Sequence, residues 1–328
     1  MHGNSYAICR IPASAPCRGE GPGRSSAISR SVRADILLLI TALVWGFAFV
    51  AQRVGMEHVG PFVFNGVRFA LGACALLPLA IRSSGRITPR ECSSTPTWLG
   101  YLCAGTALTA GASLQQIGML HTTAGNAGFI TCLYVILVPL FAALLGNRTP
   151  LGTVFGALCA VAGMYLLSIN EQFHINPGDL LELIGAFFWA GHVLVAAWFA
   201  PRMNPIHLAV GQYAVCSVLS LIFAVATGES FELEGLKNAA VPILYGGLLS
   251  VGLAYTLQLV AQRDANPSHA AIILSLESVF AALGGWLLIG ETLTPRGMVG
   301  CALMLAGMLL SELWPRKNGL APEGGSCS

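Results

Sequence analysis

Residues 35–52 read DILLLITALVWGFAFVAQ, and residues 179–196 read DLLELIGAFFWAGHVLVA. Each opens on an aspartate, carries a tryptophan in the same place (Trp45 and Trp189) and is otherwise mostly apolar. At 1.5 Å per helical residue, such a run crosses most of a hydrocarbon layer of roughly 30 Å. The two stretches lie 144 positions apart. The same offset, without a gap, pairs Pro61 with Pro205, Tyr101 with Tyr245, Gly146 with Gly290 and Gly156 with Gly300. It also pairs Ala162-Gly163-Met164 with Ala306-Gly307-Met308. One register held over so many residue types marks an internal duplication.

Composition agrees with a bilayer environment. Charged residues are 10% of the chain and hydrophobic ones 55%, whereas a soluble domain carries about 25% charge. Apolar runs between polar or Pro/Gly breaks predict ten spans: 35–52, 62–82, 97–119, 125–145, 150–169, 179–199, 206–227, 240–261, 267–289 and 296–314. With the N-terminus in the cytoplasm, thirteen basic residues fall on the cytoplasmic side. Only Arg53, Lys237 and Arg296 fall outside, and Arg68 lies within a span. That bias predicts both termini inside.

The fold class expected is therefore an all-α integral membrane protein of ten transmembrane helices in two repeats. Residues 35–169 form the first five-helix repeat and 179–314 the second. Residues 1–34 are expected as a disordered cytoplasmic tail, without the apolar core of a signal peptide, and 315–328 as a short cytoplasmic tail. Five is odd, so the second repeat enters the membrane inverted. Inverted repeats are a recurring device of alternating-access carriers.

Enzyme chemistry is not indicated. No HExxH, GxSxG or P-loop pattern occurs, and no acid pair stands out as a dyad. The ten cysteines are scattered singly, without metal-ligand spacing, so neither a metal nor a cofactor is expected. The expected partners are a small-molecule substrate and the lipid bilayer, with a homodimer left open and no nucleic acid.

A second set of residues carries a resemblance. Leu43-Val44-Trp45-Gly46-Phe47 lies in the first span and Arg68-Phe69 in the second. The fourth holds Ala124-Gly125-Asn126-Ala127-Gly128-Phe129-Ile130-Thr131 and then Val138-Pro139-Leu140. Leu276-Glu277-Ser278-Val279-Phe280-Ala281 and Gly290-Glu291 mark the ninth. In this order the chain resembles the EamA-type transporters of the drug/metabolite transporter superfamily over roughly residues 35–314. Ser278 departs from the pattern, standing where many members carry proline. The resemblance implies a carrier with a central cavity, commonly an exporter or permease for amino acids and other small metabolites. It implies a bacterial inner membrane location. Nucleotide sugars, sugar phosphates and drug-like solutes are the alternative cargoes, although one intramembrane arginine and no intramembrane lysine favour a neutral or zwitterionic solute. A membrane sensor or an intramembrane enzyme is the remoter alternative.

Ionisable groups at membrane depth are costly and mark function or pairing. Glu277, mid-span, is read either as a carrier of a coupling proton or as a hydrogen-bonded packing residue. Arg68 is read either as a grip for a substrate carboxylate or, preferably, as a structural anchor, bonded to helix-end carbonyls or to a Glu, or reaching outward. His192 is read as a proton relay or, preferably, a satisfied core histidine. Trp45, Gln115, Gln116, Tyr134, Trp189, Gln212, Tyr255 and Gln258 complete the candidate set, as cavity lining or as interhelical hydrogen bonders. Glu182 and Asp35 are expected to reach the headgroups. Pro139 is expected to kink or open the fourth span. Gly152/Gly156 and Ala302/Ala306 are expected to let helices approach closely.

Overall fold

The computed structural model describes residues 24–83, 96–144, 151–169, 175–199, 202–261 and 267–314. Among these the elements are helices, joined by turns and irregular connections, with one isolated bridge at Ile169–Ile175. In chain order the helices are α1 Arg24–Gly55, α2 Pro61–Ser83, α3 Thr97–Gly118, α4 Ala124–Thr131, α5 Tyr134–Leu144, α6 Leu151–Ser168, α7 Pro177–Phe199, α8 Pro205–Thr227, α9 Leu233–Asn238, α10 Ala240–Leu244, a π-helix at Tyr245–Ala254, α11 Tyr255–Ala261, α12 Pro267–Ser275, α13 Glu277–Ile289 and α14 Pro295–Leu313. Helix α1 starts inside the segment expected as a tail. Residues 1–23 and the expected C-terminal tail, 315–328, lie outside those described.

Nine helical stretches among the described residues are long and apolar enough to cross a membrane. Helix α3 has the length, at 22 residues, but its Gly, Thr and Gln content keeps it from that set. Local chemistry sets several boundaries. Thr123, Asn204 and Thr294 each accept a backbone N–H of the following first turn, at 3.1, 2.9 and 3.0 Å. Gly228 and Gly290 end α8 and α13 at φ 73° and 68°, where a side chain would be strained.

The repeat is visible as a pseudo-two-fold contact between α6 and α14. A methyl on Gly156 would lie 2.5 Å from the Gly307 carbonyl oxygen. Shifting both positions by the repeat offset gives the pair Gly300 and Gly163, and there a methyl on Gly300 would lie 2.7 Å from the Gly163 oxygen. A two-fold relation requires this exchange of partners. Gly152 of the expected small-residue motif also faces α14, against Trp314. Ala302 and Ala306 do not serve: both are exposed, and Gly300, Met304 and Gly307 make the contact.

Helix α1 runs parallel to α12 and α13. Ala34 and Leu38 pack with Ala270 and Leu274, and further along Val50 and Phe47 approach Gly284. Thus α1 starts and α14 ends on one face, called here the near face. The opposite, far face carries the turns before α2, α4 and α7 and after α8 and α13.

Two of the spans are broken. One is interrupted at Cys132-Leu133, between α4 and α5, and the other at Leu276, between α12 and α13. Cys132 and Leu276 are repeat-related. The first break precedes Pro139, which sits within α5 without ending it. The second forms with serine at 278, whose Oγ donates to the Ser275 carbonyl at 2.8 Å. On the far side of the breaks α13 packs on both α1 and α4. On the near side α5 packs on α7 and α6, whereas α12 packs on α1 and α14, so the two broken helices diverge.

Candidate functional site

A helix that stops in mid-membrane leaves backbone groups that only protein or a cavity can satisfy, and such breaks form binding sites in transporters. The breaks meet here through side chains. The Cys132 thiol donates to Glu277 Oε1 at 3.2 Å. Glu277 is 4% exposed and opens α13, where the free N–H groups of a first turn favour a carboxylate. Tyr134, first residue of α5, lies within electrostatic reach of the same carboxylate.

A second acid sits at the break. Thr131, next to Cys132, donates its hydroxyl to Glu182 Oε2 at 3.0 Å. Glu182 is 0% exposed, so it does not reach the headgroups as its place near a span end suggested. Its other oxygen has no hydrogen-bond partner among the described residues. It turns inward because Gly118 and Gly178 leave room at the crossing of α3 and α7. One turn away, Asp179 accepts hydrogen bonds from Thr122 and Asn126.

Five of the expected residues form one network. Gln115 Nε2 donates to Gln52 Oε1 at 2.9 Å, and Trp189 Nε1 donates to Gln115 Oε1 at 3.0 Å. Trp189 meets the His192 ring edge-on at 5.9 Å, and His192 Nε2 bonds Gln212 Oε1 at 2.8 Å. Gln116 joins by donating to the Gln52 carbonyl at 3.3 Å. The network ties α1, α3, α7 and α8 together, with Gln115 and Gln52 joined amide to amide, while Gln116 Oε1 has no hydrogen-bond partner among the described residues. Gln52 is a member that hydropathy alone hid, since it lies at the end of the first expected span.

Trp45 is placed differently from Trp189. Its Nε1 donates at 3.1 Å to the carbonyl of Ser250, inside the π-helix. The Tyr245 hydroxyl donates back to the Val44 carbonyl at 3.0 Å. A π segment widens the helix by one residue per turn and often sits at functional sites. No residue pattern in the sequence announced it. Tyr255 follows it and packs edge-on against Tyr213 at 5.8 Å. Tyr134, Tyr255, Gln258 and His192 are only half-buried, whereas Gln115, Gln116 and Glu182, nearer the far face, are buried.

Arg68 stands apart from the breaks. It is 4% exposed, so it does not reach outward as expected. Its guanidinium lies over Phe69 at 4.8 Å and Phe64 at 5.6 Å, and its Nε has no hydrogen-bond partner among the described residues. The rings supply part of what a counter-ion would.

Known proteins resemble this chain. The chain is 32% identical over 285 residues to an uncharacterized transporter of Archaeoglobus fulgidus, covering 85% of this chain and 86% of that one. It is 23% identical to the uncharacterized inner membrane transporter YedA of Escherichia coli, over 85% of this chain and 92% of the other. The threonine/homoserine exporter RhtA of the same species is 26% identical over a shorter stretch, 56% of this chain and 62% of its own. A solved structure at 18% identity superposes with a TM-score of 0.59, covering 86% of this chain and 96% of that one, which speaks to the fold alone. The profile of the EamA-like transporter family matches residues 32–169 and again residues 176–313. Repeat for repeat, this multi-pass membrane protein belongs to the EamA-like transporter family.

Proposed function

We propose that the protein carries a small amino-acid-like metabolite across a bacterial inner membrane by alternating access, as an exporter coupled to protons. In this reading α3 is the tenth span, the two five-helix repeats are inverted, and both termini lie in the cytoplasm. The observation that carries the reading is the meeting of the two repeat-related helix breaks at Cys132 and Glu277. An ionisable group at that depth suits a proton or ion pathway. Half-buried Tyr134 near it, and Tyr255 and Gln258 on the near half, suit a polar, uncharged lining. The partial likeness to RhtA favours an amino-acid cargo.

The test is uptake of labelled amino acids into proteoliposomes, with and without a pH gradient. Saturable flux that follows the gradient supports the proposal. Saturable flux blind to the gradient would make the protein a facilitator and return Glu277 to packing. Specific binding without flux would make it a sensor.

A second reading, an anionic cargo such as a sugar phosphate, is favoured by one observation. Arg68 is buried over aromatic rings and forms no hydrogen bond with a carboxylate among the described residues. Saturable sugar-phosphate flux with none for amino acids would select it.

A further inference from the structure

Two carboxylates of the second repeat cap helices of the first. Glu229 accepts the Phe62 N–H at 3.1 Å and the Val63 N–H at 2.8 Å, in the first turn of α2. Glu291 accepts the Ala124 N–H at 3.0 Å and the Gly125 N–H at 3.4 Å, in the first turn of α4. These N–H groups have no partner within their own helix, and the positive end of the helix dipole favours an anion there. Both caps lie on the far face, and both join the two halves of the molecule.

Each carboxylate is seated on a glycine. A methyl group on Gly60 would collide with the Glu229 carboxylate, and one on Gly285 with that of Glu291. Each also borders a cavity on the far face. One of about 300 Å³ includes His58 and Glu232, and one of about 340 Å³ includes Trp286 and Thr292. The carboxylates therefore have space into which to swing.

The near face is built otherwise. The repeat counterpart of Gly60 is Asn204, whose own side chain caps α8 through the Ile206 N–H. The counterparts of Glu229 and Glu291 are Gly85 and Asn147, which carry no carboxylate. At the positions related by the repeat, the carboxylates are thus found in the second repeat alone. On the near side the broken helices diverge, and Tyr134, His192, Tyr255 and Gln258 there are half-buried, while Gln212, Ser275, Thr153 and Ser311 are buried.

We infer that Glu229 and Glu291 are gate residues that hold the far face closed, so that the carrier rests open toward the near face. This rests on the alternating-access reading above. Opening the far face requires both carboxylates to leave the helix ends. Removing either shifts the resting population toward the far-open state.

A cysteine at Met119 reports that state. Met119 is buried against Phe49, Ala124 and Ala281 in the far half. The native cysteines are replaced, Cys132 by serine so that a donor to Glu277 remains. A membrane-impermeant maleimide is then applied from the far side. We expect slow labelling of Met119→Cys in the parent and several-fold faster labelling when Glu229→Gln or Glu291→Gln is added. Gly60→Ala, which displaces Glu229 without altering it, should do the same. Caps that served only stability would lower the thermal midpoint and leave labelling unchanged, and that result would overturn the gate. Fast labelling of the parent would overturn it too. Flux in the same preparations separates the two levels of the argument. Flux with unchanged labelling removes the gate and keeps the carrier, whereas absence of flux for any cargo in the parent removes alternating access and the gate with it.

Discussion

Cys132 donates its thiol to Glu277 across 3.2 Å, and the two residues stand at breaks in two helices that the repeat offset relates. The bond crosses from the first repeat to the second. It joins the points where α4 gives way to α5 and α12 to α13. The predictions begin there.

Glu277→Gln keeps an oxygen that accepts the Cys132 thiol and removes the ability to take up and release a proton. The folded yield should be close to wild type, while gradient-driven accumulation is lost. Measured in proteoliposomes, unchanged flux with unchanged response to the gradient would count against the coupling role. Cys132→Ala should lower stability by about 1 kcal/mol, the typical worth of one hydrogen bond, with Cys132→Ser largely restoring it.

The α6–α14 contact predicts opposite outcomes for residues that look alike in the sequence. Gly156→Val or Gly307→Val forces a side chain onto a facing carbonyl and should cost roughly 1–3 kcal/mol or prevent folding. Ala306→Val, on the exposed face of α14, should be neutral. Thermal midpoints in detergent decide it; equal sensitivity at both sites would refute the placement of the axis.

Arg68 is buried and, among the described residues, has no hydrogen-bonded carboxylate. Arg68→Met replaces it with an apolar chain, and removing an unpaired buried charge should leave stability equal or raised. If the guanidinium grips cargo, flux falls in the same variant. A fall in stability with flux per folded molecule intact would identify a structural anchor instead.

The glutamine network predicts coupling. Gln115→Leu breaks the bonds to both Gln52 and Trp189, and Trp189→Phe breaks one of the same pair. Each should cost on the order of 0.6–2 kcal/mol, and the double variant should cost less than their sum. Strict additivity in a double-mutant cycle would mean that the two side chains act separately.

Much of the architecture could be read from residue order alone. Apolar runs and the repeat at offset 144 were enough to give an all-helical membrane protein in two copies, because hydrocarbon demands long apolar helices and duplication keeps its register. Glu277, Trp45 and the Gln115–Trp189–His192–Gln212 set were legible for a related reason: polar groups inside an apolar run are few enough to stand out.

Their partners were not legible. A hydropathy pattern places a residue along a helix and leaves its orientation around the axis open. Glu182 looked like a headgroup contact until the crossing of α3 and α7 at Gly118 and Gly178 turned it inward. Arg68 looked able to reach the interface until α2 packed against α8 and the π-helix. The break at Cys132 lay ahead of the proline that drew attention, and the π-helix had no composition of its own. What the order of residues established is membership of the bilayer, the duplication and the depth of each polar group. Which of those groups touch, where the helices stop, and which face is sealed by Glu229 and Glu291 were fixed by packing, since contacts between helices depend on rotation and close approach that no single run encodes.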